Sequence, residues 1–279
     1  MVIRRGLALE KHGKADLFGW LRDSTIWELG HELTREMPVH PNHPPFFFTM
    51  VKRHGDSYRE EGYSAASDMI TMSGHHGTHM DALGHVSVNG HLHSGAIADD
   101  AQRGLKGLTS DDIGEQLPVL TRAVLIDIPR LIGKDELEPG YLITVDQVEA
   151  ALAEDGLVVG EGDVVLFRSG WGGVRWSRGV AGIYPPRGQP GPGEDVAKWL
   201  SARKVRAVGS DTMSFESVTE NQNRMPVHSE LLFHAGIPIM EMLALEEIAA
   251  AGVHEFLFAA LPLRIRGATG SPIRPIAIS

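Results

Sequence analysis

Residues 75–85 read HHGTHMDALGH and set His75, His79, Asp81 and His85 at successive intervals of four, two and four. Neutral imidazoles and a carboxylate make a borderline ligand set for a divalent first-row metal, manganese or zinc. Three protein ligands leave positions open for water and substrate. His75, His79 and Asp81 are therefore the candidate metal ligands. His85 lies four residues past Asp81 and need not ligate. With an unperturbed pKa of about 6.5, it is suited to accept and donate a proton near neutrality. Among 14 histidines in 279 residues a pair by itself means little. The ordered H-x-G-T-H-x-D with a further histidine joins ligand types to backbone requirements, and that combination is specific.

The backbone must bring these side chains together. Positions 75, 77, 79, 81 and 85 share parity and face one side of an extended segment. A straight strand would still separate His75 from His79 by ~13 Å, near the limit for two imidazoles sharing an ion. A bend is required. Gly74, Gly77 and Gly84 supply the permissive backbone and argue against the helical i, i+4 pair of an HExxH site. A kinked strand or strand-to-loop segment is expected.

Around this segment the chain reads as α/β. Strand patterns at 123–128, 163–167, 205–209, 237–240 and 255–260 alternate with helical patterns at 144–154, 195–203 and 245–251. Thr144 and Gln147 form a capping-box signature, with Val148, Ala151 and Leu152 on an apolar face. Residues 1–25 read as an N-terminal helical arm that packs on a neighbouring subunit, and 26–279 as a single domain. The Gly and Pro cluster at 184–193 (YPPRGQPGPG) is either a connector or a lid.

The motif resembles that of the metal-dependent cyclase family, which includes bacterial kynurenine formamidases, isatin hydrolases and trans-dienelactone hydrolases. The family pattern H-x-G-T-H-x-D-x-P-x-H is matched except at Leu83, where proline is usual, and the ALGH variant looks nearer to the isatin-hydrolase branch. The resemblance extends over 27–38 (WELGHELTREMP), 162–172 (GDVVLFRSGWG) and 209–212 (GSDT). Segments 225–228 (MPVH) and 237–241 (IPIME) resemble those that bring a His and a Glu to a second metal in the formamidases. The resemblance thus implies His228 and Glu241 as a second-metal pair or proton relay, with Asp81 bridging the two ions. It also implies a mixed β-barrel-like sheet flanked by helices, and a homodimer or higher oligomer.

Other candidates rest on weaker signals. Phe46, Phe47 and Phe48 cannot all face one side of a strand, so at least one is free to line a substrate pocket. Trp171, Trp176 and Phe215 are pocket candidates through adjacency to the matched segments. Asp211 either caps a turn or orients a ligand, the cap being favoured. His12, His31, His40, His43, His54, His91, His93, His234 and His254 match no part of the motif and read as surface or structural residues.

Composition bounds the function. The chain is 42% hydrophobic and 22% charged, typical of a globular enzyme. A net charge of -10 with scattered basic residues disfavours nucleic acid as a partner. The apolar runs are too short to span a membrane, and without a secretory h-region a cytoplasmic location is the expectation. There are no cysteines, so disulfides and thiolate ligands are excluded. The expected activity is metal-dependent hydrolysis of an amide, formamide or lactone bond in a small substrate of the isatin, N-formylkynurenine or dienelactone type, with His85 as general base and acid. A non-catalytic carboxylate-binding protein and a lyase or cyclase acting through a metal-bound enolate are the alternatives.

Overall fold

The computed structural model describes residues 14–102, 104, 106–183, 188–219 and 224–279. In chain order its strands are β1 (Ile26–Glu28), β2 (Phe47–Lys52), β3 (Ser67–Thr71), β4 (His79–Asp81), β5 (Val119–Asp127), β6 (Leu142–Ile143) and β7 (Val164–Arg168). There follow β8 (Gly191–Pro192), β9 (Ala207–Ser210), β10 (Ile239–Glu241), β11 (Glu255–Ala260), β12 (Gly270–Pro272) and β13 (Ile276–Ile278). Nine of them form one curled, half-barrel sheet in the order β1-β13-β11-β5-β7-β9-β10-β4-β12. The centre, β5-β7-β9-β10, is parallel, and the pairings on either side of it are antiparallel. The sheet is therefore mixed and flanked by helices, as expected, with β1 and β12 at its two edges.

The central strands are apolar on both faces because both are covered. Val124, Ile126, Val165, Phe167 and Val208 pack on one side against Val148, Leu152, Val196 and Leu200 of helices Val145–Asp155 and Glu194–Ala202. Ala123, Leu125, Val164, Leu166 and Ala207 face the other side, with Phe256, Phe258 and Ile248. Each fully buried Val, Leu, Ile or Phe contributes about 1.5–3 kcal/mol relative to exposure. The capping box at Thr144 forms, and Gly156 in the left-handed region ends that helix.

The strand and helix patterns read from sequence correspond to β5, β7, β9, β10, β11 and to helices Val145–Asp155, Glu194–Ala202 and Glu246–Ala250. The β2–β3 ribbon and the two short C-terminal strands carry no such pattern. Of the N-terminal arm, residues 1–13 lie outside the described residues, and Lys14–Asp23 is a helix. Of the 184–193 segment, 184–187 lie outside the described residues. The remainder is tied down: Gln189 bridges to Val218, and β8 pairs with β6. A Cβ on Gly191 would stand 2.3 Å from the Phe215 carbonyl oxygen. That portion behaves as a connector held against its neighbours. No helix among the described residues is long and apolar enough to cross a membrane.

Candidate metal centre

The site is built on β4 and its two neighbours. Residues opposite one another in an antiparallel pair present side chains to the same face, and Glu241 of β10 is registered against His79 of β4. Asp81, two residues on, shares that face. His75 arrives from the bend before β4, where Gly77 has φ +58° and a Cβ would lie 2.6 Å from the Leu33 side chain. The intervening Thr78 explains its place in the motif: its hydroxyl donates to the Met242 carbonyl and accepts from the His31 N–H. The bend is thereby fastened to the end of β10. His228 comes from the short helix Pro226–His228.

Two overlapping ligand groups result, His75, His79 and Asp81, and Asp81, His228 and Glu241. Within each, the candidate ligand atoms lie within 4.8 Å of one another. His79 Nε2 is 3.5 Å from Asp81 Oδ1 and 3.4 Å from Glu241 Oε2, and His228 Nε2 is 3.3 Å from Glu241 Oε1 and 3.9 Å from Asp81 Oδ2. Both carboxylates therefore stand between imidazoles, one oxygen to each side. The rings are held from behind. His79 Nδ1–H donates to the Gly77 carbonyl at 2.8 Å, and His228 Nδ1–H donates to Glu216 Oε1 at 2.6 Å. These bonds leave Nε2 of each ring facing inward, the usual arrangement behind metal-ligating histidines. His75 Nε2 meets the Thr269 hydroxyl at 2.9 Å, which turns Nδ1 to within 2.7 Å of Asp81 Oδ1.

The residues fit a divalent cation on their own chemistry. Asp81 Oδ1 and Glu241 Oε1 are buried yet accept no aligned hydrogen bond from the described residues, a costly arrangement unless something positive satisfies them. Protons supply part of that charge. Burial opposes protonation of His79 and His228, but contact with Glu241, joined by Asp81 at His79 and by Glu216 at His228, overrides it. The pKa of His79 is raised to about 9 and that of His228 to about 10. Burial likewise opposes ionisation of Asp81, yet the imidazoles of His85, His75 and His79 hold its carboxyl well below the usual range. Glu241 is also lowered, burial and Asp81 being outweighed by His228 and His79. A cation binding here would displace the imidazole protons.

His75, His79, His228 and Glu241 line a cleft of about 240 Å³, with Asp81 buried behind them. His85 opens onto it from a short 3₁₀ turn, Leu83–His85, its ring 4.2 Å from that of His75. It belongs to neither ligand group. Desolvation by the surrounding protein lowers its pKa, Asp81 opposes this, and His75 and His228 add to it.

The aromatic pocket expected from sequence lies elsewhere. Trp171 and Phe215 are fully buried, Trp171 donating from Nε1 to the Leu137 carbonyl and Phe215 packed edge-on to Phe167. Large apolar rings at strand ends gain more from the core than from a cleft. Phe47 and Phe48 belong to the β2–β3 ribbon, and neither they nor half-buried Phe46 is among the described cleft-lining residues. Trp176 stacks on His31 at 3.9 Å and packs behind Met213 and Met242. The apolar lining consists instead of Val86, Met213, Met225 and Met242 with Pro38. Asp211 accepts from the backbone N–H groups of Ser169, Gly170 and Trp171. It is a cap, of a loop distant in sequence. Sequence reasoning missed Glu216 and Thr269, which no local pattern distinguishes, and His40 and His43, which line the cleft.

A family model described as a putative cyclase matches residues 27–217. A kynurenine formamidase of Bacillus thuringiensis subsp. konkukian is 27% identical over 256 residues, covering 92% of this chain and 98% of that protein. An isatin hydrolase of Roseibium aggregatum is 26% identical over 227 residues, covering 79% of this chain and 78% of that protein. A crystal structure described as a novel cyclase superposes with a TM-score of 0.82 at 28% identity, covering 95% of this chain and 92% of that one.

Proposed function

This chain belongs to the cyclase family, and from that premise we propose that it is a metal-dependent hydrolase of an amide, formamide or lactone bond in a small cyclic or aromatic substrate. The observation that carries the reading is that His75, His79, His228 and Glu241 converge on one open cleft, with Asp81 buried between them and His85 on the cleft wall. Relatives named kynurenine formamidase and isatin hydrolase support the choice of bond.

In this reading His75, His79 and Asp81 hold one divalent ion, manganese or zinc, and Asp81, His228 and Glu241 are the ligands for a second. When bound, such an ion polarises a carbonyl and lowers the pKa of water. His85 takes the proton of the attacking water and returns it to the leaving nitrogen or oxygen as the C–N or C–O bond breaks. Thr269, Gly77 and Glu216 keep the three ligand rings aimed inward. The methionines and Val86 give the substrate an adaptable apolar wall.

The test pairs elemental analysis of the purified protein with a panel of aryl formamides, isatin and a dienelactone, run with manganese or zinc and again after chelation. At least one compound should be hydrolysed only with metal present, and its product should carry oxygen from labelled water. Metal-loaded protein that hydrolyses none of them, or product formed without oxygen from water, would overturn the reading.

A further inference from the structure

Beyond β9 the chain reads Met213-Ser214-Phe215-Glu216 and bends sharply. Phe215 has φ +39°, in the left-handed region that a bulky residue rarely adopts. The Glu216 N–H turns back onto the Ser214 carbonyl and closes a three-residue turn about it. Neighbours hold that turn in place. The Gln189 side-chain amide donates to the Glu216 carbonyl at 3.2 Å, and the Ser217 N–H donates to the Pro192 carbonyl at 3.2 Å. The Phe215 ring is itself fully buried against Phe167. Strain of this kind persists only where the surroundings over-determine it, and it clusters where function needs side chains aimed. Here the kink serves the two residues that flank it. Glu216 is buried and grips His228 from behind, whereas Ser214 is half-buried and lines the cleft. The Ser214 hydroxyl has no hydrogen-bond partner among the described residues. It therefore faces the cleft with a proton to donate and no protein bond to give up.

We propose that Ser214 contacts the substrate, its hydroxyl donating a hydrogen bond to the carbonyl oxygen of the cleaved bond as that oxygen gains negative charge. The proposal rests on the hydrolase reading for the identity of that oxygen. The turn that carries Ser214 is the one that backs His228, which sets the hydroxyl at the His228 end of the cleft. A donor fixed by a rigid turn needs little reorganisation when charge develops in front of it. The hydroxyl keeps its own proton throughout, so the proton transfers assigned to water and His85 are unchanged.

The experiment uses manganese-loaded wild type, Ser214→Ala and Ser214→Thr, each first checked for metal content. Phenylphosphonate, a tetrahedral anion that stands in for the charged oxygen, and neutral acetanilide are titrated calorimetrically. Hydrolysis of formanilide, or of whichever amide or lactone of the panel wild type cleaves, is followed in parallel. Ser214→Ala should keep its manganese, bind phenylphosphonate about tenfold more weakly and bind acetanilide nearly as wild type does. Its kcat should fall about 100- to 1,000-fold with KM within about twofold, the pattern of a donor lost from a developing oxyanion. Ser214→Thr keeps the hydroxyl and should recover most of both losses. A serine that merely shaped the Phe215 turn would act through Glu216 and His228 and lower metal content instead. The proposal is overturned if Ser214→Ala loses its manganese, binds phenylphosphonate as tightly as wild type or keeps its kcat, or if Ser214→Thr is as impaired as Ser214→Ala. If the phosphonate pattern holds and wild type hydrolyses nothing, the hydrolase reading fails and the Ser214 contact to a charged oxygen stands. If wild type and Ser214→Ala hydrolyse the same compound at equal rates, the Ser214 contact fails alone.

Discussion

His85 faces the cleft beside His75 yet contributes no atom to either candidate ligand group. A positioned acid–base group is worth about 100- to 10,000-fold in rate. His85→Ala should therefore keep its metal while kcat falls on that scale, both being measured on one preparation. Loss of metal along with activity would make His85 a ligand instead. Glu216 is a different kind of residue. It is not among the described residues lining the cleft, and it accepts from His228 Nδ1 and from the His228 and Val227 backbone N–H groups. Removing such a partner typically costs 10- to 100-fold in metal affinity. Glu216→Gln should weaken binding at the Asp81, His228 and Glu241 group by that factor while leaving the His75, His79 and Asp81 group occupied. Chelator competition at one and two equivalents of metal checks it.

At the scale of elements, β4 is held between β10 and β12, so β12 shapes the site without supplying a candidate ligand. Its Gly270 is packed against the His75 ring, where a Cβ would stand 2.6 Å from Cε1 and 2.9 Å from Nδ1. Gly270→Ala should push the ring aside and reduce metal affinity while the circular dichroism spectrum stays that of wild type. Gly19→Ala is the control, since nothing lies within 4 Å of the added methyl. Helix Glu246–Ala250 carries a separate liability in Glu246, whose carboxyl lies against Gly172 and Gly173. Burial and then Asp211 push its pKa up to about 7, partly offset by Arg168. The native state therefore holds this proton more tightly than the unfolded chain, and stability falls as pH rises from about 4.5 to about 7. Glu246→Gln should raise Tm over wild type at pH 8 and lose that advantage by pH 4, as thermal unfolding at the two values will show.

For the whole molecule the unexplained surface is the β2–β3 ribbon, whose strands, among the described residues, pair only with each other. Phe47, Met50, Val51, Met69 and Ile70 are all exposed on it. A two-stranded ribbon is marginal in water without cover, and an apolar patch of this kind marks an interaction surface. We expect a homodimer, with the ribbon buried against a second copy. Light scattering should give twice the 30.4 kDa chain mass, and Val51→Lys with Ile70→Lys should give the monomer. A monomeric wild type at micromolar concentration would refute it.

The sequence by itself determined the candidate ligand types and the need for a bend, because a metal restricts which side chains can bind it and Gly77 must relieve a backbone that would otherwise hold His75 and His79 apart. It also determined the central strands and the main helices, whose apolar periodicity and capping are local properties. Through resemblance it pointed to His228 and Glu241, although nothing near either residue says what it would meet. Only the tertiary structure decided that Glu241 stands opposite His79, since strand register is set by packing across the sheet. It alone brought Glu216 behind His228 and Thr269 behind His75. It also moved the pocket from Trp171 and Phe215 to methionines and to His40 and His43. Whether a large side chain enters the core or lines a cleft depends on what the rest of the fold places against it, and no short stretch of sequence contains that information.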